Sequence, residues 1–230
     1  MSLRRISVGT GLALGSLALV STPAIGSVHD SSPDGFAVRH TALVPAEAAD
    51  VWETLLDPAE WWDGNHTFSG NAANLSLDPR AGGCFCELLP DPASKTAPPR
   101  GGVQHMQVAY LESPRVLRMT GALGPLQSEA VVGTMTFMIK PEEAGTRINV
   151  EYVVGGYFRI PTDKMAPLVD RVVGAQIASL ARTLGGSAAA PVSAAPADSP
   201  LNSLPAEGAP PEKKPEKPTG ENKKPPIIGR

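Results

Sequence analysis

The chain has 230 residues, with 20 Lys and Arg against 23 Asp and Glu, and only two cysteines. Setting aside the two ends leaves residues 27–184, enough for one domain with its own core. There 12 basic residues face 18 acidic ones, and a stretch acidic by 6 argues against a nucleic-acid-binding surface.

Residues 1–26 read as an export signal. Arg4 and Arg5 give a positive start, and 6–20 is an apolar run too short for a membrane span. Ala24 and Gly26 are the small residues a signal peptidase reads, so cleavage is expected before Ser27. The protein is therefore expected to be exported, periplasmic or secreted, with a retained membrane anchor as the alternative. No Cys follows the signal, which argues against a lipid anchor.

Residues 36–43 alternate loosely and predict a first strand. Pro45 then opens a helix carrying Ala48, Val51, Trp52, Leu55 and Leu56 on one side. Asp57-Pro58 breaks it, and 59–62 makes a short second turn ending in Trp61-Trp62. Strands follow at 75–77, 84–89, 103–111 and 116–120, then a hairpin of 131–140 and 146–157 around Pro141-Glu142-Glu143-Ala144-Gly145. In its second arm Ile148, Val150, Tyr152 and Val154 share one face. A helix is expected over 166–184, with Leu168, Val169, Val172, Val173, Ile177, Leu180 and Leu184 as its apolar stripe and Asp170, Arg171 and Arg182 mostly off it. Gly174 and Ala178 are small and permit close approach, and Gly185-Gly186 ends the helix. Residues 185–230 are rich in Pro, Ala, Ser, Glu and Lys and are expected to be a disordered tail. Its lysines, Lys213, Lys214, Lys217, Lys223 and Lys224, suggest an envelope surface contact that the interleaved Glu212, Glu216 and Glu221 weaken.

Together these elements predict an α+β fold, a curved antiparallel sheet gripping a last long helix. Their order, with the words in them, resembles the START-like or SRPBCC superfamily, and within it the group named after the activator of Hsp90 ATPase. The matching residues are Val44-Pro45-Ala46-Glu47, Val51-Trp52, Asp57-Pro58 and Trp61-Trp62, then Gly82-Gly83 with Phe85. Glu112-Ser113-Pro114-Arg115-Val116-Leu117, Gly133-Thr134-Met135-Thr136-Phe137 and Gly145-Thr146-Arg147-Ile148 complete the set. The resemblance implies a helix-grip fold with an apolar cavity between sheet and last helix. Members bind lipids, polyketides and hormones, and some are cyclases or other enzymes. The Hsp90 activity belongs to the eukaryotic namesake and is not carried over to an exported chain. Cys84 and Cys86 stand where the group usually has polar or charged residues.

The expected cavity wall is Trp61, Trp62, Tyr110, Met119, Met135, Phe137 and Tyr152, with Arg118 as a polar handle. The expected ligand is a small hydrophobic or amphipathic molecule, with no cofactor and no metal. No Ser elbow, paired-His motif, dinucleotide fingerprint or phosphate loop is present. Binding without covalent chemistry therefore leads, ahead of a cyclase- or hydrolase-like enzyme using His66, His105 or Glu151, and of an envelope partner-binding protein. Cys84 and Cys86 lie on one strand face. They read as two reduced half-buried thiols, as a strained labile bridge, or as a soft-metal pair with His105 as third ligand.

Overall fold

A computed structural model describes residues 28–94 and 96–188. The expected export signal and most of the expected tail lie outside the described residues.

The chain runs β1 (Val28–Ser32), β2 (Gly35–Val44), α1 (Ala48–Leu56), α2 (Pro58–Trp61), β3 (Leu75–Leu77), β4 (Cys84–Leu89), β5 (Gly101–Glu112), β6 (Val116–Gly121), β7 (Ala130–Glu142), β8 (Gly145–Tyr157), α3 (Thr162–Thr183) and β9 (Ser187–Ala188). The strands form one antiparallel sheet in the order β1-β2-β8-β7-β6-β5-β4-β3, and β9 pairs with β2. Register breaks at 28/30, 85/86 and 108/110 are β-bulges, which bend and twist a sheet locally. This is the expected helix-grip α+β architecture.

Alternation sets which side of each strand is buried. In β8 Ile148, Val150, Tyr152 and Val154 turn inward, and in β7 Met135, Phe137 and Ile139 do. α1 buries Val51, Trp52 and Leu55 and packs against β7. Each such side chain contributes about 1.5–3 kcal/mol by leaving water. The short connection between α1 and α2 is fixed by Asp57, whose carboxylate accepts from the Ala59 N–H.

Four expectations need correction. The last helix begins at Thr162, not at 166, and Pro167 lies inside it. Pro167 removes only the bond to the carbonyl of exposed Asp163, which water can satisfy, while Met165 and Ala166 hold the extra turn in the core. The helix lies on β1, β2 and β9. Its stripe is also different: Leu168 is 52% exposed, whereas Asp170 and Gln176 are each 2% exposed. The reason is polar pairing, because Asp170 meets His40 and Gln176 meets the segment after α2. Finally, α1 starts at Ala48, beyond Pro45, and β9 occupies what was expected to be the start of the tail.

Candidate functional site

The inner faces of β4, β6 and β7 bring Phe85, Leu117, Met119, Met135 and Phe137 together. The register pairs Leu117 with Phe137 and Met119 with Met135. Leu55 and Pro58, with Trp61 and Trp62, close over them, and Leu77 fills the side toward β3. These residues surround a hollow with a volume of about 10 Å³, lined by apolar atoms only. That is room for about one water, and a cavity without polar partners stays dry. A pocket for a drug-sized ligand is some 300–1,000 Å³, so the hollow admits one only by opening. No residue of α3 lines it. This hollow lies under α1 and α2 rather than between the sheet and the last helix.

The roof of the hollow continues through residues 62–74, which two buried polar groups pin down. Gln176 on α3 accepts from the Asp63 N–H at 2.8 Å, and its amide meets His66 Nδ1 at 3.0 Å. Glu87 on β4, 1% exposed, accepts from the Phe68 N–H at 3.0 Å and from the Ser69 N–H. Its third partner is His105 Nε2 at 3.0 Å. Burial pushes the Glu87 carboxyl up, but the hydroxyl and N–H of Ser69, the Phe68 N–H and His105 together outweigh it and hold it below the usual carboxylate range. Burial also holds His105 below the usual imidazole range, which the neighbouring carboxylate only partly offsets. The pair is thus a charged Glu87 beside a neutral His105, with the carboxylate selecting the Nε2–H form.

His105 reaches this place through a bulge. Phe85 pairs with Met106 and Cys86 with Gln104, which leaves His105 as the extra residue of β5. Met106 and His105 both turn inward, although they are adjacent. The His105 ring sits 5.1 Å from Phe85 and 5.9 Å from Phe68, and Phe85 lies 5.3 Å from Trp62, which is 5.3 Å from Trp61. A continuous run of rings therefore joins the Glu87–His105 pair to the hollow, although neither member of the pair lines it.

A second buried pair holds α3 to the sheet. His40 Nε2 lies 2.9 Å from Asp170 Oδ1, at an oblique angle that leaves neither atom a well-formed hydrogen bond. Burial lowers the His40 pKa more than Asp170 raises it. Thr162 adds a third polar pin, donating from Oγ1 to the Ser32 carbonyl at 2.6 Å.

Of the eight residues expected at a ligand cavity, Trp61, Trp62, Met119, Met135 and Phe137 border this hollow. Tyr152 turns inward and is fully buried, but packs beside the hollow over Gly133, where a Cβ would collide with its ring. Its hydroxyl accepts from the Leu123 N–H at 3.3 Å, and burial raises its pKa. Tyr110 and Arg118 are on the other side of the sheet. Leu117 and Met119 both line the hollow, so Arg118 between them must point outward. It donates to Thr136 Oγ1 at 3.2 Å and lies over the Tyr110 ring, its cross-strand partner. The Val108/Tyr110 bulge turns Tyr110 outward. Glu151 shares this outer face and pairs with Arg39 at 2.6 Å. His66 sits in the exposed loop with Asp63 3.3 Å away. Sequence reasoning missed Leu55, Pro58, Leu77, Phe85 and Leu117 as lining residues. It had Leu117 within reach, because a strand that buries Met119 also buries Leu117.

Cys84 and Cys86 form a disulfide, so neither is the reduced thiol that was one reading of the pair. A strand normally spaces alternate Cα atoms about 6.6 Å apart. Here the separation is 5.4 Å, within the range a disulfide favours. The shortening falls at the register break opposite His105.

No family model matches the sequence, and no curated protein does. Among solved structures, the chain is similar to an uncharacterised protein from Rhizobium leguminosarum, at 18% identity and a TM-score of 0.46, over 66% of this chain and 95% of that one. It is also similar to CalU16 from Micromonospora echinospora, at 16% identity and a TM-score of 0.41, over 67% and 76%. A third is the AHSA1-like protein from Aeromonas hydrophila, at 14% identity and a TM-score of 0.40, over 65% and 92%. These are likenesses of fold. The strand order and the closing helix of the chain itself give it the helix-grip architecture that its sequence resemblance to the activator group implies.

Proposed function

We propose that this domain binds a small hydrophobic molecule, without covalent chemistry, in the hollow beneath Trp61 and Trp62. The observation that supports this is the wall itself: an uninterrupted apolar lining with two methionines opposite each other and two indoles as a roof. Methionine repacks at low cost, so Met119 and Met135 can yield to a ligand. The roof opens by releasing the hydrogen bonds of Gln176 and Glu87 to residues 63–69, and Trp62, half-buried, is the side chain that moves first. The occupant is an apolar group of modest size, since no polar atom faces it.

The test is native mass spectrometry of the protein from its own source, followed by titration of a small aromatic hydrocarbon against tryptophan emission. An added mass lost on organic extraction, or saturable quenching abolished by Met135→Trp, is the expected result. A clean mass together with no saturable quenching overturns the reading.

The Glu87–His105 pair favours a second reading, an acid–base enzyme of the cyclase or hydrolase kind that uses His105 Nδ1 as base and Glu87 to orient the ring. It requires the Phe85 ring to move aside. Turnover lost in His105→Gln with ligand binding kept would select it over simple binding.

Export is part of the proposed function. It is supported by Arg4, Arg5, the apolar run and Ala24 and Gly26 in the sequence. The Cys84–Cys86 bridge suits an oxidising compartment. An N-terminus at Ser27 in protein recovered from its source is the expected finding, and a retained Met1 overturns it.

A further inference from the structure

The Cys84–Cys86 bridge spans a single residue, Phe85. Phe85 and Glu87 turn inward, so the two cysteines stand on the outer face of β4. Their cross-strand neighbours there are Ser76, Gln104 and Gln107, all exposed and uncharged, and Asp78, whose N–H donates to the Cys84 carbonyl at 3.0 Å and whose carboxylate pairs with Arg80 at 2.7 Å. An attacking thiolate meets no covering layer from them, and the one like charge, on Asp78, is offset by Arg80. A bridge closing so short a loop removes little entropy from the unfolded chain, so its effect on the folded protein is local. That effect is visible in the backbone: the strand is contracted to 5.4 Å where about 6.6 Å is regular.

The contraction lies at a sensitive point. It faces the bulge that carries His105, and Phe85 between the cysteines touches both Trp62 and His105 and lines the hollow. We propose that Cys84–Cys86 is a thiol–disulfide exchange site for an external dithiol, and that Phe85 transmits its opening to Trp62 and His105. In the reaction one thiolate of the dithiol attacks a cysteine sulfur and forms a mixed disulfide, and the displaced cysteine takes a proton. The second thiolate of the dithiol then attacks its own partner sulfur and releases the other cysteine, which is also protonated. Two electrons and two protons pass to the protein, and the dithiol leaves as a disulfide. Once open, β4 relaxes toward regular strand spacing, and the Phe85 ring and the His105 bulge shift with it.

The experiment titrates the full oxidised chain with reduced dithiothreitol under native conditions. Mass spectrometry follows the gain of two hydrogens, while amide exchange and tryptophan emission report the inner face. Expected are reduction of the folded protein, a shift in emission, and exchange about fivefold faster at 84–89 and 103–107, the effect of weakening one backbone hydrogen bond. The Cys84→Ser/Cys86→Ser variant is expected to match the reduced protein and to ignore dithiothreitol. Reduced wild-type protein answers the question by itself if that variant does not fold. A bridge that opens only on unfolding, or one that opens with emission and exchange unchanged, overturns the proposal. No ligand enters the measurement, so its result is independent of whether the hollow binds one.

Discussion

Gly174 faces the imidazole of His40 so closely that a Cβ there would stand 2.7 Å from Cε1. Elsewhere in a helix, Gly→Ala gains about 1 kcal/mol of propensity. Here the ring cannot retreat easily, because Asp170 holds its other side at 2.9 Å. Crowding of this kind costs about 1–3 kcal/mol. Gly174→Ala is therefore expected to lower stability on balance, measured as a fall in the urea midpoint, and a rise would show that the ring moves freely. Much of this residue scale was hidden in the sequence. Gly174 could be read as permitting close approach, but not to what, because His40 lies 134 positions away. Asp170 reads as a solvent-facing charge until its partner is known. Arg118 and Met119, being adjacent, cannot both face one side of a regular strand, and alternation applied strictly would have sent Arg118 outward.

Glu87 shows what an element-level tie does. It joins β4 to β5 through His105 and to the segment after α2 through two backbone N–H groups. Removing it leaves the His105 N–H and two backbone donors without their acceptor, a loss of about 1–3 kcal/mol for each one kept from water. Glu87→Ala is expected to cost that much in chemical denaturation and to speed amide exchange at 66–70. In a double-mutant cycle, His105→Phe on that background should cost less than it does alone, since the ring then sits between Phe68 and Phe85 with no polar demand. Equal costs would show that the two residues act separately. The elements themselves were largely legible: period-two runs located β2 to β8, and three-four spacing located α1 and α3. The bulges were not. A single extra residue reverses which side faces the core, and no local signal marks His105 or Ala109 as that residue. β1 and β9 were missed as well, being short and carrying little apolar pattern.

Over the whole molecule the buried imidazoles set the acid side of stability. His40 and His105 are both held below their ordinary value of 6.5 chiefly by burial. The unfolded chain takes up protons at these positions first, so stability declines as pH falls through 6.5. The slope is at most about 2.7 kcal/mol per pH unit, about 1.4 for each imidazole. Glu87, held below 4.5, adds a further loss as pH drops beneath that value. Thermal midpoints measured from pH 7.5 to 4 are expected to fall in this order. His40→Gln/His105→Gln is expected to flatten the upper part of the curve, and an unchanged slope in that variant would place the acid sensitivity elsewhere.

The strand order also has a consequence for synthesis. β2, completed at Val44, lies between β1 and β8, and its pairing with β8 begins only at Thr146. β9 joins it from residues 187–188, so the two contacts that fix β2 close loops of more than a hundred residues. Contacts so distant form slowly and late. A growing chain shorter than about 145 residues must therefore carry Phe36, Val38, Ala42 and Val44 uncovered. The domain cannot fold in step with its own translation, and whatever receives the nascent chain must keep that surface from neighbours until α3 has emerged.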